Sequence, residues 1–360
     1  MKETDFSIRD GEKNVYFAAV NSGRGFISYY GDVFGDPRIK KRYIIKGGPG
    51  TGKSSFIRKA ARCAETKGRR VVYYPCASDP DSLDGVIIDG TIALLDGTAP
   101  HLYEPRIPGA ADEIVNLGEF WNADELYARY DEIAYLTNMK GEAYSRAYKF
   151  LSAAMNVAEI NRSLVKGALL RDKMKGAVAR LFRCFPDGDG FSVENGSVNA
   201  IGMKGRAHLD TYERSAEKLY LIYDSFGFGK DLLLEIIDAA REKKIKVRVS
   251  HSPLDPDLPD AVFLYEIGVA FVLSDGDAPE NKLRINVKRF VDVDAVDKIK
   301  TEYRCNRRLC EALITSAEES LRDGGRFHFA LEHIYSSCMD FAAEERFAES
   351  FCNKLFGRVQ

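Results

Sequence analysis

Four short segments recur in the same order and at nearly the same spacing along this chain of 360 residues. Val20-Asn21 returns as Val198-Asn199, at an offset of 178 (198 − 20). Tyr43-Ile44-Ile45 and the glycine loop ending at Lys53 return as Tyr220-Leu221-Ile222 and a loop ending at Lys230, at an offset of 177 (230 − 53). Asp79-Pro80-Asp81-Ser82-Leu83-Asp84 returns as Asp255-Pro256-Asp257-Leu258-Pro259-Asp260, at 176 (255 − 79). Asp96-Gly97-Thr98-Ala99-Pro100 returns as Asp275-Gly276-Asp277-Ala278-Pro279, at 179 (275 − 96). Order and spacing kept together imply a duplicated domain. The expected halves are 1–185 and 191–360, separated by the turn-rich stretch Phe185 to Ser197.

Within the first half, Gly47-Gly48-Pro49-Gly50-Thr51-Gly52-Lys53-Ser54 fits the pattern G-x-x-x-x-G-K-[ST] at every fixed position. The apolar run Tyr43 to Ile45 precedes it as an expected strand, and Ser55 to Glu65 follows as an expected helix. Glycines let backbone N–H groups turn inward around phosphate oxygens, and the helix N-terminus adds unpaired N–H groups and partial positive charge. On this reading Gly48, Pro49, Gly50, Thr51, Gly52, Lys53, Ser54 and Ser55 form a phosphate-binding loop. Lys53 reaches the β- and γ-phosphates of ATP and the Ser54 hydroxyl ligates Mg²⁺.

A further strand, Ile92 to Leu95, ends in Asp96-Gly97. An apolar strand ending in aspartate after such a loop is the Walker B pattern, so Asp96 is the expected second metal ligand. This strand should run parallel to Tyr43–Ile45. The polar stretch Thr98 to Asn122 reads as a loop, where Glu104 and His101 are the candidates to orient an attacking water, Glu104 the better base if partly buried. Asp112 and Glu113 lie there too. From Ala123 the pattern becomes helical, with a basic helix expected over Arg162 to Phe182. Near the end, His328 and Glu332 share a helix face and could ligate a metal, although a surface charge pair explains them as well.

The second loop departs from the first. Asp224 replaces Gly47, Phe226 and Phe228 replace Pro49 and Thr51, and Asp231 replaces Ser54. Asp231 is expected to satisfy the helix N-terminus in place of phosphate, with Lys230 paired to Asp231 or Asp224. One nucleotide site per chain follows.

A net charge of −2 gives no reason to expect nucleic acid as a partner. Seven cysteines without a C-x-x-C pair suit a reducing compartment. The charged N-terminal stretch lacks an apolar signal core, and no apolar run approaches a membrane span of about 18 residues. The expected setting is cytoplasmic, without a membrane.

The run Gly47 to Ser55 resembles the P-loop NTPase superfamily. With Asp79 to Gly85, Asp96 to His101, Asp112 to Gly118, His328, Leu331-Glu332 and Met339-Asp340-Phe341, the chain resembles a group of uncharacterised bacterial tandem P-loop proteins described as ATPases. The resemblance implies ATP binding, α/β folding as two tandem three-layer domains with mainly parallel sheets, and a helical segment after each. It brings no known substrate, and the small-molecule or protein partner stays open. The expected function is a Mg²⁺-dependent ATPase using the first loop. A small-molecule or nucleotide kinase, or a non-hydrolysing nucleotide sensor, remains as an alternative.

Overall fold

The computed structural model describes residues 14–274 and 283–357; the repeat match at Asp275 to Pro279 lies outside them. The first half runs β1 (Asn14–Val15), hairpin β2 (Ala19–Ser22) and β3 (Gly25–Ser28), α1 (Tyr30–Val33), β4 (Lys41–Lys46), α2 (Lys53–Thr66), β5 (Val71–Pro75), β6 (Leu83–Ile88), β7 (Ile92–Asp96), β8 (Asp112–Asn116), α3 (Ala123–Ala128), α4 (Tyr130–Val165) and α5 (Arg171–Phe182). The second half repeats every element: β9 (Val193–Gly196), β10 (Asn199–Gly202), β11 (Gly205–His208), α6 (Thr211–Ser215), β12 (Lys218–Tyr223), α7 (Gly229–Glu242), β13 (Val247–His251), β14 (Pro259–Leu264), β15 (Val269–Ser274), β16 (Leu283–Asn286), α8 (Val293–Asp297), α9 (Lys300–Ser337) and α10 (Phe341–Phe356).

Each half forms a six-stranded sheet of the same order, β1-β5-β6-β7-β4-β8 and β9-β13-β14-β15-β12-β16. Five strands run one way; β6, and β14 in the second half, are antiparallel to both neighbours. As expected, β4 and β7 are parallel, with Ile45 opposite Asp96. Lys41 pairs Ile92 and Lys218 pairs Val269, so both strands keep one common offset between the halves (218 − 41 equals 269 − 92). By that register Leu273, not an acidic residue, stands where Asp96 stands in the first half.

Several expectations need correction. The apolar run Val15 to Val20 is divided between two elements: β1 ends at Val15, and Ala19 opens the β2–β3 hairpin. Strand β8 lies inside the stretch read as loop, pairing parallel with β4. It is hidden because only Asp112 and Val115 are buried while Ile114 is exposed, so no apolar alternation marks the strand. The basic helix over 162–182 is two helices, broken at Lys166–Ala168.

The layers also differ from two separate helix–sheet–helix sandwiches. Along β4, Tyr43 and Ile45 face α2, while Ile44 faces a core shared with the second sheet. Likewise Leu219 and Leu221 of β12 enter the shared core while Tyr220 and Ile222 face α7. The strand's two-residue period therefore feeds one face to helices and the other to the opposite half. The inner apolar faces cover each other, so no second helical layer is needed there.

The helices after each sheet cross over. Helix α10 packs on α2: Phe351 lies against Tyr43 and Phe56 at 4.8 and 5.0 Å between ring centres. Helix α5 buries Met174, Val178 and Phe182 with Leu232, Leu233 and Ile236 of α7. Each such side chain contributes about 1.5–3 kcal/mol by leaving water. The crossing is reciprocal. Asp340 N–H donates to Phe120 O at 2.7 Å and Asn122 N–H to Cys338 O at 2.8 Å; Leu170 N–H donates to Phe290 O and Asp292 N–H to Ala168 O, both at 2.8 Å. Between them α4 and α9 lie antiparallel, closely packed where Gly324 meets the Tyr144 ring and where Ala143, Ala147, Ala154 and Ala317 are buried. Packing thus crosses the sequence boundary between the halves. Among the described residues no helix is long and apolar enough to cross a membrane.

Candidate functional site

The first glycine loop joins β4 to α2, and its backbone is set by local sterics. Gly50 and Gly52 have φ of +68° and +82°, a region that disfavours side chains. A Cβ on Gly50 would lie 2.4 Å from Glu332 O, and one on Gly48 would lie 2.7 Å from the Tyr335 ring. The loop is therefore walled by α9, an element of the other half. Thr51 Oγ1 donates to Gly48 O at 2.8 Å, and Thr98 Oγ1 donates to Gly47 O at 3.2 Å. Among the described residues, no acceptor receives the backbone N–H of Gly48 or of Gly50 to Ser54. Pro49 has no N–H to offer, and Ser55 sits in the first turn of α2.

Lys53 Nζ donates to Gly47 O at 3.0 Å and Gly48 O at 2.7 Å, and lies 3.7 Å from Asp96 Oδ2. Asp96 Oδ1 accepts from Thr98 N–H at 2.8 Å, which fixes the carboxylate at the end of β7. Ser54 Oγ accepts from Leu83 N–H at 2.8 Å, tying the helix start to β6. Lys53, Ser54 and Asp96 are thus brought to one sheet edge, as the motif spacing implied.

Two residues invisible to sequence reasoning join them. Lys140 of α4 sits near Lys53; burial lowers its ammonium pKa most, and repulsion from Lys53 adds to it. Glu344 of α10 is buried with its carboxylate 3.6 Å from the position of a Gly52 Cβ. Burial raises the Glu344 carboxyl, with Glu345 adding to it. Neither belongs to a motif, and only the crossed packing brings them in.

Other candidates are placed elsewhere. Glu104 is exposed and holds Lys46 at 2.7 Å, so it lacks the partial burial that would make it the better base. Asp112 is buried but structural, accepting from Arg106 and Ile107 N–H at 2.6 and 2.7 Å and facing Arg42. Glu113 pairs with Lys41. His328 and Glu332 form a surface pair at 3.3 Å. His101 is buried, stacked on Tyr30 at 5.0 Å and flanked edge-on by Phe26. Its Nε2 lies 3.3 Å from Asp84 Oδ2, and its buried Nδ1 has no partner among the described residues. Burial pushes the Asp84 carboxyl up to about 6, against the pull of His101.

The second loop shows what the same backbone does with a different sequence. Asp224 Oδ1 accepts from the N–H groups of Phe226, Gly227 and Phe228 at 3.0, 2.9 and 3.2 Å, and Oδ2 accepts from Gly229 N–H at 2.7 Å. The chain's own carboxylate fills the nest of N–H groups. The expectation that Asp231 would do so is corrected: it pairs with Arg162 at 3.3 Å and Arg171 at 3.8 Å. Lys230 pairs with neither aspartate but donates to Ser252 Oγ at 2.9 Å. A Cβ on Gly229 would lie 2.4 Å from Leu273 Cδ2, so a leucine fills the Asp96 position.

Comparison of the chain with protein-family models, with curated proteins and with solved structures finds no match.

Proposed function

We propose that the chain binds a nucleoside triphosphate, ATP by expectation, as its Mg²⁺ complex at the first glycine loop and hydrolyses it, the second loop serving structure. The contrast between the two equivalent loops carries this reading. One nest of N–H groups is filled by Asp224; the other has no acceptor among the described residues and has Lys53 and Asp96 beside it. The donor set fits the group: N–H groups and Lys53 for phosphate oxygens, Ser54 hydroxyl and Asp96 carboxylate for a hard cation. Mg²⁺ at Ser54 and Asp96 would supply neutralisation of the charge on the phosphates. The chain's own residues bind and orient. The N–H groups fix the phosphate chain, and Lys53 exchanges its contacts with Gly47 and Gly48 carbonyls for phosphate oxygens. Lys140 adds a second cation from α4, and Tyr335 and Glu332 wall the loop from α9.

Calorimetric titration with Mg²⁺-ATP tests this. Expected is one site per chain, lost in Lys53→Ala and kept in Lys230→Ala. Equal binding by Lys53→Ala and the unaltered chain would refute it.

A further inference from the structure

We propose that Cys76, Asp84 and His101 form a binding site for a zinc-type divalent cation, with a ligand set distinct from that of the first glycine loop. A thiol, a carboxylate and an imidazole each offer one ligand atom here, and the three atoms lie within 4.8 Å of one another. This is the one such group among the described residues. The set mixes sulfur, oxygen and nitrogen, which suits Zn²⁺ or Co²⁺ and not Mg²⁺.

One edge of the set matches a tetrahedral ion. Bonds of about 2.0 Å to oxygen and nitrogen give a tetrahedral edge of about 3.3 Å. Asp84 Oδ2 and His101 Nε2 are 3.3 Å apart. Tyr30 and Phe26 hold the imidazole plane, so two of the three ligands are already positioned. Cys76 is half-buried as a residue, and burial pushes its thiol well above the usual range. Binding releases the thiol proton. Three protein ligands leave a fourth position for water.

The second half supplies the control. Ser252 stands at the position of Cys76 and Asp260 at that of Asp84, both at the offset of the repeated aspartate-proline segment (252 − 76 equals 260 − 84). There the buried carboxylate is satisfied conventionally: Ser250 Oγ and Asn199 Nδ2 each donate to it at 2.6 Å. Lys230 reaches Ser252 as well. In the first half these roles pass to a thiol and an imidazole whose second nitrogen is buried and unpaired.

Cobalt titration of the full chain, stripped of metal by chelator, tests the proposal. Expected is a thiolate-to-cobalt absorption band in the near ultraviolet that saturates at one equivalent and is displaced by zinc. Ser54 and Asp96 carry no thiolate and cannot produce it, so the outcome is independent of the nucleotide reading. Cys76→Ser should abolish the band, and His101→Gln should weaken cobalt binding roughly tenfold or more. Absence of the band in the unaltered chain overturns the proposal. So does a band that survives Cys76→Ser, which would place the metal at the neighbouring thiols Cys63 and Cys352. Should Cys76→Ser not fold, unchanged cobalt affinity in both His101→Gln and Asp84→Asn overturns it equally.

Discussion

Replacing Asp224 by alanine should both destabilise the chain and create an anion site. The carboxylate accepts four backbone N–H groups. Those of Phe226 and Gly227 are the more open, so water takes over much of their bonding once the carboxylate is gone. Phe228 and Gly229 are buried, and their N–H groups lose a charged acceptor with little replacement. At about 1–1.5 kcal/mol for each shielded bond, the loss is about 2–3 kcal/mol. Unfolding entropy of about 2.1 cal/mol/K per residue gives about 0.75 kcal/mol/K for a chain of this length, so Tm should fall by about 3 °C. The emptied nest should then accept phosphate. With a Kd of about 10 mM, phosphate at about 100 mM restores about 1.4 kcal/mol, or about 2 °C. The assay is thermal unfolding followed by circular dichroism, in phosphate and in sodium chloride of equal ionic strength. An Asp224→Ala chain that melts with the unaltered one, or that gains no more from phosphate than from chloride, would refute the assignment of Asp224 as an internal phosphate substitute.

Asp96→Asn should reduce Mg²⁺-dependent turnover by at least roughly tenfold while leaving metal-free nucleotide binding nearly unchanged, measured by phosphate release and titration. Glu104→Gln removes only an exposed partner of Lys46, so turnover in the same assay should stay within about twofold. Gly50→Ala should lower stability by about 1–3 kcal/mol in chemical denaturation and weaken nucleotide binding, because φ of +68° and Glu332 O leave no room for Cβ. Gly90→Ala, at φ +69° but with nothing near, should cost about 1 kcal/mol without touching binding. Burial pushes the Asp260 carboxyl up to about 6, against its hydrogen bonds from Ser250 and Asn199. Between about pH 4 and 6 the native state therefore binds more protons than the unfolded chain, and stability falls as pH rises through that window. In Asp260→Asn the fall, followed by denaturation midpoints across the window, should be shallower.

The sequence alone determined the duplication and the character of each loop. A strand, a glycine loop ending in Lys53 and an amphipathic helix are local features, written in adjacent residues and in periods of two and 3.6. Asp96 was legible for the same reason: it ends an apolar strand, and parallel pairing with β4 puts such an end beside the loop. The damage to the second loop was legible too, but not which aspartate repairs it. Asp224 and Asp231 both flank the loop in sequence, and only the curl of the backbone decides that Asp224 meets the N–H groups.

Tertiary structure alone decided the rest. Sequence periodicity shows that a helix has an apolar face, not which sheet the face will cover. Hence α5 and α10 could not be assigned to the opposite halves, nor Tyr335, Glu332, Glu344 and Lys140 to the first loop. The mutual burial of the two inner sheet faces, and the meeting of Cys76, Asp84 and His101, were hidden likewise. Contacts between residues far apart in the chain depend on how whole apolar surfaces are matched and shielded from water. That choice is made by the complete set of faces at once, and no single segment records it.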